Sequence, residues 1–308
     1  MINTKSFINK ELKIILPNTN RALNEVLKDL SAQEVQTLSA QKDLRSILNS
    51  LLKDSLKTNT QDTMLLNLLK NNPTLKNLGD FKTSIESFLK DLSPNTQSDK
   101  TLTKLEEVLK NFSQNIKDIS SKELHQKLLN SGVFLESKLK NTQDISHDLK
   151  ALLLRAKDAL QSTDLPNKAE LLKHADKLLL QIDYYQLSSH LSNSATVFIP
   201  YAWDALEEGN ISLKKTKEKK FFCDIELKLK EYGELNLRLG MFETNQLYLS
   251  VDAQSSELKK MILNNLNLLK EQLNDIHIVL KETRFKENNP TPYSQNTQSL
   301  ELGFEAKV

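Results

Sequence analysis

Near residue 196 the spacing of the apolar residues changes from three-and-four to two, and that change limits the possible folds more than any other feature. Upstream, Leu44, Ile47, Leu48, Leu51 and Leu52 fall on one stripe of a helix, as do Leu102, Leu105, Val108, Leu109 and Phe112. In "IELKLKEYGELNLRLGMF" (225–242) and just before it, Cys223, Ile225, Leu227 and Leu229 alternate with Asp224, Glu226, Lys228 and Lys230. After Gly233 the alternation resumes, with Leu235, Leu237, Leu239 and Met241 set against Glu234, Asn236 and Arg238. Period two gives strands with one dry and one wet face, and Gly233 lets the chain bend where a side chain would be strained.

A third strand is expected at Leu247, Leu249 and Val251, after a turn at Thr244 and Asn245. Ser256–Asp275 then reads as a helix, with Glu257 in its first turn. Its apolar positions, Leu258, Met261, Ile262, Leu266, Leu269 and Leu273, are expected to cover the leucine face of the sheet. "HIVLKETRF" (277–285) supplies a last strand. The fold class is α+β: a mainly helical, partly loose N-terminal two-thirds followed by a compact β-β-β-α-β domain.

Helices are expected near 22–30, 36–57, 61–71, 80–91, 100–118, 121–131, 143–161 and 167–190, separated by polar breaks around Pro73, Gly79, Pro94 and Pro166. Ser121 with Leu124 lacks a full capping box, although Glu123 suits a first turn. Gly132 in "LLNSGVFLESKL" (128–139) ends one helix and starts the next, with Phe134 and Leu135 as an apolar anchor. Heptads are not sustained, which excludes one continuous coiled coil. "TVFIPYAW" is β-branched and aromatic, and "LEEGNISLKK" carries turn chemistry at Glu208, Gly209 and Asn210. The tail from Lys286, with Pro290 and Pro292, reads as disordered.

Little in the chain suggests catalysis. The five histidines, His125, His147, His174, His190 and His277, show no metal-binding spacing such as HExxH. Phosphate loops and nucleophile elbows are absent from the sequence, so neither catalytic residues, cofactor nor metal is expected. Cys223, the single cysteine, falls on the dry face of a strand as a packing residue and leaves no partner for an internal disulfide. Lys+Arg 42 against Asp+Glu 40 is too balanced for a general nucleic-acid binder, although "KKTKEKK" (214–220) is a dense basic hairpin. No apolar run is long enough to cross a membrane, so no membrane insertion is expected, and the N-terminus does not read as a general secretory signal.

The C-terminal unit resembles the C-terminal domain of flagellar hook-length control proteins. The resemblance is carried by "LKLKEYGELNLRL" (227–239), "QLYLSVDA" (246–253) and "ELKKMILNNLNLLKEQL" (257–273), with Gly233 at the family glycine. "SGVFLESKL" (131–139) and "FIPYAWDALEEGNISLKK" (198–215) look like segments seen upstream in related proteins. Tyr232 stands where leucine is usual, Leu235 where valine or isoleucine is usual, and Leu229 where many members have proline. The resemblance implies a substrate of the flagellar type III export apparatus, not an enzyme. Its N-terminal part would measure the growing hook, and its C-terminal domain would switch export from hook to filament subunits. The implied partners are the cytoplasmic domain of the export-gate switch protein and the hook and hook-cap subunits, without nucleic acid. The implied location is the bacterial cytoplasm, followed by export. On this reading 1–20 is a flexible start and candidate export signal, 21–195 a helical ruler-like spacer, 196–285 the hook-length-control-like domain and 286–308 a disordered tail. Tyr232, Gly233, Glu234, Asn236 and Arg238 are the expected partner-binding residues. Two other readings stay open: a cytoplasmic helical scaffold or adaptor without an export role, and nucleic-acid binding through Lys214–Lys220.

Overall fold

The computed structural model describes residues 69–286, apart from 77, 193, 216–219 and 243–244, together with 21, 22, 25 and 66. The expected start 1–20, most of the three helices expected between 22 and 71, and the tail beyond Lys286 lie outside the described residues.

Between residue 81 and the sheet lie the helices α1 (Phe81–Leu92), α2 (Lys100–Phe112), α3 (Ser121–Leu129), α4 (Leu135–Lys140), α5 (Leu149–Ser162) and α6 (Lys168–Ser192). Local chemistry sets most of their starts. Asp80, Asp99, Ser120 and Asp148 each cap a helix by accepting first-turn backbone N–H groups. The α3 cap is a full capping box between Ser120 and Glu123, one residue earlier than the Ser121 and Leu124 pairing suggested by the sequence. α2 ends at Phe112 instead of continuing to 118, because tertiary bonds take the next backbone groups. Ala202 N donates to Gln114 O at 2.8 Å, and Ile116 N donates to Ala202 O at 2.9 Å. α5 starts at Leu149, later than the expected 143, since Asp144 holds a turn by accepting from Ser146 N at 2.8 Å.

Stripes at helical spacing meet in one core. Phe88, Leu102, Leu105, Leu109, Leu149, Leu153, Leu178 and Ile182 have no exposed surface. Gly132, at φ +89°, turns the corner between α3 and α4, and a Cβ there would meet Lys150 Cβ at 2.8 Å. Around this corner lies a buried ionic cluster. Lys150 Nζ is 2.8 Å from Asp183 and 2.9 Å from Glu136, and Lys138 Nζ is 3.1 Å from Asp148. Gln186 Nε2 donates to Val133 O at 3.1 Å, tying α6 to the same corner. Burial pushes the Asp148 carboxyl above the usual carboxylate range, against the pull of Lys138.

The sheet has six strands in sequential order: β1 (Ala195–Phe198), β2 (Leu206–Lys215), β3 (Phe221–Leu229), β4 (Gly233–Phe242), β5 (Gln246–Ala253) and β6 (Val279–Phe285). The first five form an antiparallel meander, and α7 (Ser256–Asp275) crosses over to bring β6 parallel to β5. Two strands thus precede the expected β-β-β-α-β unit. Glu208, Gly209 and Asn210 do not form a turn; they lie inside β2, opposite Lys228, Leu227 and Glu226. The stretch is irregular, with a register shift between Leu206 and Glu208, and neighbours on both sides, β1 and β3, hold it extended.

The dry face gathers Leu227, Leu229, Leu235, Leu247, Leu249, Val251 and Ala253. α7 does not roof all of it. The helix packs against β6 and β5 through Leu258, Ile262, Leu269 and Leu273, while Met261, expected on the covering stripe, is 43% exposed. Leu128, Tyr201 and Trp203 also pack on this core. β1 joins the two halves: Val197 and Phe198 belong to the helical core, and the Phe198 ring stacks on Phe81.

Candidate partner-binding surface

The β3–β4 hairpin carries all five sequence-expected binding residues. Its three-residue connection, 230–232, is closed by Gly233 at φ +71°. A Cβ there would land on Gln254 Oε1, the atom that accepts the Glu234 backbone N–H at 2.9 Å. The glycine is therefore required by the backbone conformation, and a Cβ would also push the Gln254 side chain off this bond. Tyr232 turns away from the polar residues and packs with the apolar cluster of the dry face.

Glu234, Asn236 and Arg238 share the opposite, wet face, where they face Lys228, Glu226 and Asp224 across the ladder. Arg238 Nε donates to Asp224 Oδ1 at 2.7 Å. Glu226 accepts from Asn210 Nδ2 at 3.1 Å. Lys228 pairs with Glu207 at 2.7 Å. Arg238 lies with Asp224, Asn236 and Asp252 in a shallow depression, beside an aromatic group in which Phe242 meets Phe222 and Tyr248 edge to face.

A cleft of about 680 Å³ separates this wet face from the helices, a volume typical of ligand sites. Glu234 and Asn236 line it, and Tyr232, Gly233 and Arg238 do not. Its other prominent residues, Glu208, Glu226, Tyr184 and Gln181, escaped sequence reasoning. One signal was present: Asn210, Ser212 and Lys214 alternate with Ile211 and Leu213, which extends the strand back towards Glu208. Burial raises the Tyr184 phenol above its usual range, and the Glu208 and Glu226 carboxylates raise it further.

No constellation for chemistry accompanies this surface. Cys223 is half-buried on β3, and burial and Asp224 push its thiol up to about 11, away from thiolate reactivity. Among the described residues no group of three or more His, Cys, Asp or Glu is placed to hold a metal ion, and no helix is long and apolar enough to cross a membrane.

Residues 210–294 match the family model described as flagellar hook-length control protein FliK. No curated protein and no solved structure matches the chain. The match begins within β2 and takes in β3 to β6 and α7, with the Gly233 hairpin in its first half. The family is named for the control of hook length and not for a reaction. The C-terminal sheet-and-helix region, residues 210–294, is therefore similar to the flagellar hook-length control domain.

Proposed function

We propose that the protein is a substrate of the flagellar type III export apparatus that reports hook length and switches export specificity. Residues preceding the sheet serve as the measuring segment while the chain passes from the bacterial cytoplasm into the growing hook, in contact with hook and hook-cap subunits. The C-terminal domain then meets the cytoplasmic domain of the export-gate switch protein, and export changes from hook to filament subunits. The observation that carries this reading is the coincidence of the family match with the part of the described chain built as a sheet.

Length is compatible with measurement. About 200 residues span roughly 650 Å at ~3.3 Å per residue when extended, against roughly 300 Å as continuous helix. The packed core between Phe81 and Phe198 has to come apart before the extended figure applies. The wet-face residues Glu234, Asn236 and Arg238, with the hairpin at Tyr232 and Gly233, are the proposed contact for the gate domain.

Deletion of 196–285 is expected to give overlong hooks without filaments, measured by electron microscopy of the mutant cells. The full-length chain should co-purify with the gate's cytoplasmic domain, and the Glu234→Lys/Arg238→Glu variant should lose that association. Normal hooks and filaments in the deletion strain, together with absence of co-purification, would overturn the proposal.

A further inference from the structure

The cleft between the helices and the wet face of the sheet has a part-polar lining with an unmet acceptor beside it. Gln181 reaches it from α6 at only 4% exposure. Its Nε2 donates to Gly79 O at 2.9 Å, while its Oε1 is buried without a hydrogen-bond partner. A buried acceptor left unmet is unfavourable, so a donor brought to it from outside would be favoured.

The charge around it has the matching sign. Asp80, Glu207, Glu208, Glu226 and Glu234 line the cleft against Lys70, Lys82 and Lys228. The cations are partly committed: Lys228 lies 2.7 Å from Glu207, and Lys82 lies within 3.8 Å of Glu86 and 3.7 Å of Asp204. Asp80 is occupied in capping α1. Glu208, Glu226 and Glu234 remain on the sheet wall as an excess of carboxylate, exposed at the mouth, with the Tyr184 ring opposite.

From this we infer that the cleft accepts a lysine or arginine side chain presented by an extended segment of a partner protein, its donors meeting Gln181 Oε1 and the Glu208 and Glu226 carboxylates. The inference deepens the proposed gate contact and rests on that reading for the partner's identity, though not for the chemistry of the site. A guanidinium or ammonium provides several donors and the complementary charge, and about 680 Å³ takes a long side chain together with adjoining backbone.

The test is fluorescence anisotropy with the full-length chain and a labelled short peptide alternating glycine and lysine, beside its glycine–glutamate counterpart. Binding of the lysine peptide alone is expected. It should weaken about tenfold or more in Glu208→Gln/Glu226→Gln and in Gln181→Met. Glu257→Gln/Glu271→Gln, which removes equal charge from the exposed face of α7, should leave binding unchanged. Thermal melts confirm that each variant is folded, and the exposed glutamate pair provides the reading should Gln181→Met fail to fold. The inference is overturned if the lysine peptide does not bind, if the cleft variants bind as well as the parent, or if the α7 control weakens binding equally. It is also overturned if spermidine displaces the peptide at equal concentration, since a free polyamine would then be the better occupant. Gate-domain co-purification with the same variants separates the two ideas. A gate domain that binds wild type and cleft variants alike leaves the proposed function standing without the cleft, and lysine-peptide binding without gate binding does the reverse.

Discussion

At the scale of single residues, Gly233 is the most tightly specified position of the hairpin. Gly233→Ala would place a Cβ on Gln254 Oε1 and hold a non-glycine residue at φ +71°, displacing the acceptor of the Glu234 N–H. The expected loss is about 1–3 kcal/mol, read as a lower midpoint in denaturant titration with an unchanged slope. This residue was legible in the sequence, because a lone glycine between two alternating runs marks a bend from one strand to the next. Tyr232 was less so. Strict alternation would put it on the same face as Glu234, but the left-handed turn at Gly233 breaks the alternation and its ring packs on the opposite side of the sheet. Gln181 was not legible at all. A glutamine within a helix gains meaning only when Gly79, about a hundred positions earlier, takes its amide.

At the scale of elements, the buried ionic cluster sets how α4, α5 and α6 hold together. Burial by itself would lower the Lys150 ammonium, but Asp183 and Glu136 outweigh it and raise the group above its ordinary value. The stabilisation is therefore complete below the unfolded lysine value of about 10.4 and lost as pH rises through the higher folded value. Melting temperature followed across that alkaline range should fall more steeply for the parent than for Lys150→Met, which is already weakened at neutral pH. Most helix starts were readable within a residue, as for α1, α2, α3 and α6, but α5 begins six residues later than expected because the turn at Asp144 precedes its cap, Asp148. Most helix ends also fell within two residues of expectation, but the end of α2 and the short strands did not. The end of α2 depends on Ala202, and β1 is four residues long, too short to show a period. Glu208–Asn210 looked like a turn because its composition is that of turns, and only the strands on either side keep it extended.

At the scale of the molecule, the helical part and the sheet are joined by Phe198. Its ring meets Phe81, Phe112 and Tyr185, while its backbone pairs with Asn210 of β2. Phe198→Ala should cost about 3–5 kcal/mol. Hydrogen exchange should then show lost protection in both β1 and the middle of α6, where a boundary between independent units would confine the loss to one side. Fold class and the alternation of the C-terminal strands followed from local periodicity. The cleft did not, since it exists only where α6 and the start of α1 meet β2, β3 and β4 across long stretches of chain.

The short β1 carries one more consequence. If the polypeptide is drawn out from its beginning, the helices unravel first, and the stacked Phe198 is pulled with them, so that β1 is stripped from the meander. What is left is a five-stranded remnant whose β2 bares a fresh row of backbone donors and acceptors. Traction on one end would in this way uncover a sticky margin at the other.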